Sequence, residues 1–250
     1  MADYENRLAR GATTVADTID TGLRAHMLRV YNYMVGALAL TGVVAFAVAN
    51  SPPLLNALYH QVVTANGVAL SPTMLGWVVM LAPLALVFLL SFRIMQMSQQ
   101  AAQATFWIYA AMVGASLASI LIVYTGASVA MTFFVTAATF GTMSLWGYTT
   151  KRDLTGFGHF LFMGLIGILI AMLANFFFRS PAINFVVSVL GVLIFTGLTA
   201  WDTQKIKNTY YAVGGDTAVA GKAAIMGALA LYLDFLNIFL FLLRFMGNRP

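Results

Sequence analysis

The chain has 250 residues, of which 61% are hydrophobic and only 8% are charged. A soluble domain carries about 25% charged residues, so this composition, with a mean hydropathy of +0.86, excludes an ordinary soluble domain and indicates an integral membrane protein. The absence of cysteine excludes disulfides and thiolate metal sites, and the net charge of +5 in a membrane protein reflects basic loops rather than a nucleic-acid partner.

The first 29 residues are polar and contain no apolar core of the length found in signal peptides. Four apolar residues recur at helical spacing towards the end of this stretch: Ile19, Leu23, Met27 and Val30. This pattern predicts a short interfacial helix that leads into the membrane, and a flexible tail is an equal alternative for residues 1–16. We therefore predict a cytoplasmic N-terminal tail over residues 1–29 and a single membrane domain over residues 30–250.

Seven stretches of about 20 mainly apolar residues follow, each long enough to cross a bilayer as a helix. They cover residues 30–49, 74–92, 104–124, 129–148, 159–177, 183–202 and 223–245. Pro83 lies inside the second stretch and predicts a kink there. The predicted fold class is an all-α integral membrane protein, a bundle of seven transmembrane helices.

Lysine and arginine residues are unevenly distributed over the two sides of the membrane that alternating spans define. With the N-terminus inside, ten of the thirteen lie on the inner side and three on the outer side. Cytoplasmic loops carry such an excess of positive charge, which predicts a cytoplasmic N-terminus and an external C-terminus. If the last segment re-enters the membrane instead of spanning it, the C-terminus returns to the inside.

Two of the eight acidic residues lie within apolar segments, Asp202 at the end of the sixth and Asp234 near the middle of the seventh. A carboxylate at bilayer depth costs about 2.5–3.5 kcal/mol on insertion scales, so it is rare there without a partner or a role. Small and polar residues share the helical stripe of Asp234, together with one aromatic residue: Gly227, Ala230, Asn237 and Phe241. A lipid-facing stripe would be bulkier, so we expect the last helix to be central.

The two aspartates belong to the same half of the bundle, because Asp234 lies about 16 Å into the seventh helix from its cytoplasmic end. Two carboxylates in contact cannot both ionise easily, so they would share a proton and respond to pH. The same oxygens suit Ca²⁺, which would compete with protons for them. Asn237 is a candidate to line an ion path, and Arg93 ends the second span on the same side.

Other interpretations of the pair stay open. Each aspartate can instead satisfy a nearby polar group and fix helix packing, in a non-conducting protein that regulates membrane partners through helix contacts. A membrane-embedded hydrolase can also use paired aspartates, but nothing in the sequence marks the water-filled cavity that it needs. The chain has no HExxH, GxSxG or P-loop motif, and His26, His60 and His159 are too dispersed for a zinc site. We therefore expect no enzyme activity and no cofactor.

The strings that hold the two aspartates are distinctive. Residues 199–206 (TAWDTQKI) resemble the end of the sixth helix of the transmembrane Bax inhibitor motif family, the Bax inhibitor-1-like proteins. Residues 227–244 (GALALYLDFLNIFLFLLR) resemble the last helix of that family, and residues 33–42 resemble its first helix. The resemblance covers about residues 25–247, and the polar N-terminus is similar to that of the bacterial branch.

The resemblance implies a seven-helix bundle around a central last helix and a pH-sensitive Ca²⁺ leak across a bacterial inner membrane. It implies that Asp202 and Asp234 are the proton sensor and cation site, and that Arg93 latches onto them in the closed form. The implied partners are the lipid bilayer, calcium ions and protons, with membrane proteins as the alternative and no nucleic acid. The loop between the aspartates, with Tyr210, Tyr211 and residues 214–216, is longer than in the compact bacterial members.

Overall fold

The computed structural model describes residues 2–64, 67–213 and 217–248, with backbone alone for residues 2–20, 61, 63–64, 67–70 and 217–218. The helices are α1 (Ala2–Ala49), α2 (Pro52–Leu58), α3 (Met74–Arg93), α4 (Gln99–Leu117), α5 (Ile120–Val123), α6 (Gly126–Thr149), α7 (Thr155–Phe178), α8 (Pro181–Val213) and α9 (Thr217–Met246). Within this part of the chain, seven helical segments are long and apolar enough to cross a membrane. The predicted fold class is therefore confirmed.

Local sequence signals fix several helix starts. Thr73, Ser98 and Thr125 each accept a hydrogen bond from the backbone N–H three residues later and so cap α3, α4 and α6. Pro181 opens α8, where its missing N–H costs nothing. Pro83 lies within α3, which continues through it as a single helix, and the predicted kink stays a prediction.

The first helix differs from the prediction. α1 is continuous, and within the residues whose side chains are described its apolar span includes residues 21–49, so it extends to before residue 30. Leu23, Met27 and Val30 are between 0% and 4% exposed and belong to the main core cluster. The apolar stripe therefore packs inside the bundle instead of lying on the membrane surface, while the side chain of Ile19 lies outside the described residues.

A β-hairpin that the sequence does not predict stands between the first two spans. Strand β1 (Tyr59–Thr64) pairs antiparallel with β2 (Gly67–Pro72), with Tyr59 opposite Pro72. The buried Tyr59 hydroxyl donates a 3.0 Å hydrogen bond to the carbonyl of Ser116. Because that carbonyl would otherwise accept within its own helix, α4 ends one residue later and α5 completes the third span.

The end of the sixth span also differs from the prediction. α8 extends to Val213, eleven residues beyond Asp202, so Tyr210 and Tyr211 are helical rather than part of a long loop. The predicted loop residues 214–216 lie outside the described part of the chain. α9 is one continuous helix of 30 residues, and its described backbone does not turn back as a re-entrant segment would.

The last helix is central, as predicted. In its most apolar stretch 61% of the residues are buried, against 11–39% in the other six spans. It packs against α1, α4, α6 and α8. The fully buried Tyr232 connects α9 to two of these helices, α1 and α4, because its hydroxyl shares a 2.7 Å hydrogen bond with Thr41, whose hydroxyl donates to the carbonyl of Ala110 at 2.9 Å.

Two glycines permit close helix contacts. A Cβ atom at Gly114 would collide with the Thr41 carbonyl of α1, and one at Gly147 would collide with the Ala200 carbonyl of α8. Such small residues allow backbones to approach closely in membranes, where the hydrophobic effect does not drive helices together. Gly147 therefore sets the distance between α6 and α8. Its contact on α8, Ala200, lies two residues before Asp202.

We expect Gly147→Ala to lower the free energy of unfolding by about 1–3 kcal/mol, because the new methyl group meets backbone that cannot move aside. Gly141→Ala is the matched control on the same helix, since a Cβ atom there meets nothing within 4 Å. Thermal unfolding of the purified protein in detergent measures both variants. Equal melting temperatures for the two variants would contradict the contact between α6 and α8.

Candidate functional site

The seam between α8 and α9 contains the predicted site. The side chain of Ile206 fills the space beside Gly227 at one end of the seam, and Phe241 packs on Gly191 at the other. The rings of Phe195 and Phe241 are stacked with centroids 6.0 Å apart. The stripe of Asp234 therefore faces α8, inside the bundle, and the inward orientation is the one that the sequence predicts.

Asp202 and Asp234 meet between these apolar contacts. Their carboxyl groups lie within hydrogen-bonding distance of each other, and the side chain of Asp234 is only 4% exposed. A hydrogen bond between two carboxyl groups forms only when one of them is protonated, because two ionised carboxylates have no proton to share. Oδ2 of Asp234 is buried and receives no hydrogen bond from an amide or hydroxyl group of the described residues. The other carboxyl group is thus the polar partner available to Asp234.

The structure does not bring Arg93 to this pair. Its side chain is exposed at the end of α3, a helix that packs chiefly against α4. Among the described side chains, the cation that acts electrostatically on Asp202 is Lys205, whose ammonium group lies 5.0 Å from the centre of the Trp201 ring. The expected latch contact is therefore absent from this arrangement, because the end of α3 lies away from the seam between α8 and α9.

Asn237 lies one helical turn beyond Asp234 and is partly buried. Its side-chain amide donates a 2.8 Å hydrogen bond to the carbonyl of Leu233 in the same helix. The residue shares the stripe of Asp234, as expected, and its role in lining an ion path stays a prediction.

A chain of hydroxyl groups that the sequence analysis missed crosses three helices beside the pair. Thr203 donates to the Thr199 carbonyl at 2.7 Å, the hydroxyls of Ser144 and Thr203 are 2.9 Å apart, and those of Tyr31 and Ser144 are 2.6 Å apart. Because each hydroxyl has one proton, Ser144 donates to Thr203 and Tyr31 donates to Ser144. The sequence feature that points to this chain of hydroxyl groups is the presence of Thr199 and Thr203 before and after Asp202.

The turn of α8 that follows Asp202 is fixed to the connection between α6 and α7. Gln204 accepts from the N–H of Leu154 at 2.8 Å and donates to the carbonyl of Arg152 at 2.7 Å. The ammonium group of Lys207 donates to the carbonyl of Tyr148, near the C-terminus of α6, at 2.8 Å. These bonds hold the Asp202 end of α8 in place from outside the seam.

Asp153, in the same connection, is fully exposed. It accepts hydrogen bonds from the hydroxyl and the N–H of Thr155 at 2.6 and 2.9 Å. The two bonds stabilise its charged form and lower its pKa below the usual range. Asp153 is therefore an ionised carboxylate outside the bundle, in contrast to the buried Asp234.

Two of the three histidines lie beside aromatic rings, and the third, His60, is exposed on β1. His26 is buried with its ring 5.3 Å from that of Tyr210, and the ring of His159 is 6.3 Å from that of Trp201. Within the described part of the chain, no three or more His, Cys, Asp or Glu side chains are grouped so as to hold a metal ion. Any cation at the aspartate pair therefore has two carboxylates as its charged ligands.

Together these features define an integral membrane protein with seven spanning helices and a pair of neighbouring aspartates on the last two, of which Asp234 is buried. The sequence profile of the family described as inhibitor of apoptosis-promoting Bax1 matches residues 23–250. The chain thus belongs to the Bax inhibitor-1-like family, as its two aspartate-containing strings predict.

Bacterial relatives match over nearly their whole length. A Rickettsia prowazekii protein is 46% identical, and a Caulobacter vibrioides protein is 45% identical, each over 100% of this chain and 99% of its own. The protein named inner membrane protein YbhL of Escherichia coli K12 is 48% identical over 91% of this chain and 93% of its own. The similarity therefore includes the complete helical bundle.

We expect Arg93→Gln to change the free energy of unfolding by no more than about 0.5 kcal/mol, as for an exposed side chain without a partner. Lys207→Gln should cost about 0.5–1.5 kcal/mol, because it weakens the hydrogen bond to the Tyr148 carbonyl. Thermal unfolding in detergent at a pH where the pair shares a proton compares the two variants. A larger loss for Arg93→Gln would show that the latch is already closed in this state.

Proposed function

We propose that this protein is a pH-sensitive cation leak channel of the bacterial inner membrane, with Ca²⁺ as its cargo and the contact between Asp202 and Asp234 as its sensor. The observation that supports this most directly is the close approach of the two carboxyl groups in the seam between the two most buried spans. The name of the Escherichia coli relative supports the inner membrane as the location. The excess of basic residues on one side supports a cytoplasmic N-terminus.

Loss of the shared proton is the switching event in this proposal. Two negative charges about 4 Å apart repel by about 4 kcal/mol at an effective dielectric constant of 20. That energy acts on the seam between α8 and α9, which the apolar contacts at its two ends hold together. The seam therefore has two arrangements, one with a shared proton and one in which the charges are separated or neutralised by a cation.

Arg93 is the proposed counter-charge in the deprotonated arrangement. The end of α3 that carries it is already attached to the start of α9, because Lys222 donates a 2.9 Å hydrogen bond to the carbonyl of Met95. A guanidinium group stays protonated at all relevant pH values and can bind two carboxylate oxygens at once. Arg93 thus moves to the pair only after the shared proton has left.

The aspartate pair is better suited to bind a cation transiently during conduction than to hold one tightly. Ca²⁺ takes six to eight oxygen ligands, and two carboxylates supply at most four. Water or backbone carbonyls must provide the rest, so binding is weak enough for the ion to leave, as conduction requires. Asn237, one turn along α9, is the proposed next contact on the path.

Asp234→Asn tests the sensor role. The amide cannot take part in the shared protonation, so we expect Ca²⁺ flux that no longer changes with pH. The measurement is Ca²⁺ uptake into liposomes that contain the purified protein alone, from pH 5 to 8. Asp153→Asn is the matched control, because it neutralises an exposed carboxylate outside the seam and should leave the pH profile as in the wild type.

Two results would contradict the proposal. An unchanged pH profile in Asp234→Asn would remove the sensor role, even if flux persists. No flux from the wild-type protein alone would favour a non-conducting regulator of membrane partners, in which the aspartates fix helix packing only.

Proton–calcium competition gives a second prediction. If protons and Ca²⁺ bind the same carboxylate oxygens, Ca²⁺ must displace the proton that the pair holds. The apparent affinity for Ca²⁺ should then fall by up to about tenfold for each unit by which the pH is lowered. Titration of flux against Ca²⁺ concentration at several pH values measures this. A half-saturating concentration that is the same at all pH values would show that the cation does not bind at the pair.

A further inference from the structure

A groove of about 1120 Å³ lies between α1 and α6, on a face that the other spans leave open. Phe235 of α9 is among its lining residues, and Val35, Val43 and Leu145 are 58–66% exposed along it. Because these residues lie in membrane-spanning helices, their exposed surface faces lipid. The groove is therefore a lateral recess in the bundle and not part of the seam between α8 and α9.

Two glycines enlarge the groove. A Cβ atom at Gly42 of α1 or Gly141 of α6 would meet nothing within 4 Å. At Gly114 and Gly147, by contrast, another helix occupies the space that a side chain would fill. The surface of the groove at Gly42 and Gly141 is therefore concave, and no described part of the chain covers it.

The lining combines an apolar wall with one positive charge. Its polar residues are Tyr31 and Ser144, whose hydroxyls bond to each other, Tyr148, and Arg24 as the charged member. Among the described residues that line the groove, none is acidic. Arg24 is exposed and lies seven residues before Tyr31, about 10 Å along α1, so the charge lies towards one end of an otherwise apolar recess.

We propose that this groove binds a phospholipid with an anionic headgroup, whose acyl chain fills the recess and whose phosphate binds Arg24. The apolar wall suits a hydrocarbon chain, and a guanidinium group binds phosphate oxygens through two parallel hydrogen bonds. Basic residues near the membrane surface also attract anionic lipids. This site is independent of the proposed channel function, since its lining includes neither aspartate.

A second recess provides an internal comparison. It has a volume of about 740 Å³, lies between α7 and α8, and includes Gly167 among its lining residues, all of which are apolar or glycine. Acyl chains should enter it without headgroup preference, because it has no cation. A Cβ atom at Gly167 also meets nothing within 4 Å, which makes the position a matched control for Gly141.

The experiment is native mass spectrometry of the full-length protein in detergent, with equal amounts of dioleoylphosphatidylglycerol and dioleoylphosphatidylcholine. We expect the wild type to retain one phosphatidylglycerol in preference to phosphatidylcholine. Gly141→Leu fills the groove and should reduce that bound fraction at least fivefold, while Gly167→Leu should leave it unchanged. Gly42→Leu is the second groove-filling variant, and circular dichroism verifies the helix content of each.

The headgroup is tested separately. Arg24→Gln should reduce the preference for phosphatidylglycerol by about fivefold, the contribution of one basic residue near the surface. Arg29→Gln removes an exposed arginine that does not line the groove and should have no effect. The proposal is wrong if folded Gly141→Leu and Gly42→Leu both keep the lipid, if Arg24→Gln keeps the full preference, or if a second copy of the chain occupies the groove.

Discussion

A carboxyl group buried in the middle of a membrane-spanning helix needs a polar partner or a proton, and in this protein the group beside it is a second carboxyl group. Asp234 has no amide or hydroxyl donor on its buried Oδ2, and the carboxyl group of Asp202 is the polar group that interacts with it. In the proposed function, a proton shared by the two groups links the packing of α8 against α9 to pH. A permanently charged basic side chain beside Asp234 would hold α8 and α9 together at every pH. A proton shared by two carboxyl groups, in contrast, can leave when the pH rises.

The surrounding bundle is built so that this contact is specific. Gly147 brings α6 against α8, and the Thr41–Tyr232 hydrogen bond holds α1 against α9. Gln204 and Lys207 fix the end of α8 from outside. Since hydrocarbon offers no hydrophobic force between helices, small residues and polar bonds determine which helices meet. The aspartates therefore meet because several separate contacts place α8 and α9 in register.

On the open face between α1 and α6, small residues are present but no helix packs against them. Glycines there find no neighbouring helix, and the Tyr31–Ser144 hydrogen bond is a polar contact across an otherwise apolar gap. The chain of hydroxyl groups continues from Ser144 to Thr203, the residue after Asp202. The lipid-facing groove and the aspartate seam are thus separate surfaces joined by a short series of hydrogen bonds.

The sequence by itself determined the seven spans, the central last helix and the two aspartates, because hydropathy and isolated intramembrane charges are local properties of a chain. It also led to the family, through two strings around those aspartates. Only the tertiary structure decided that the carboxyl groups touch, that Arg93 stands apart, and that Ser144 and Thr203 lie beside them. These facts depend on how helices distant in sequence are rotated and spaced, and no single helix encodes that.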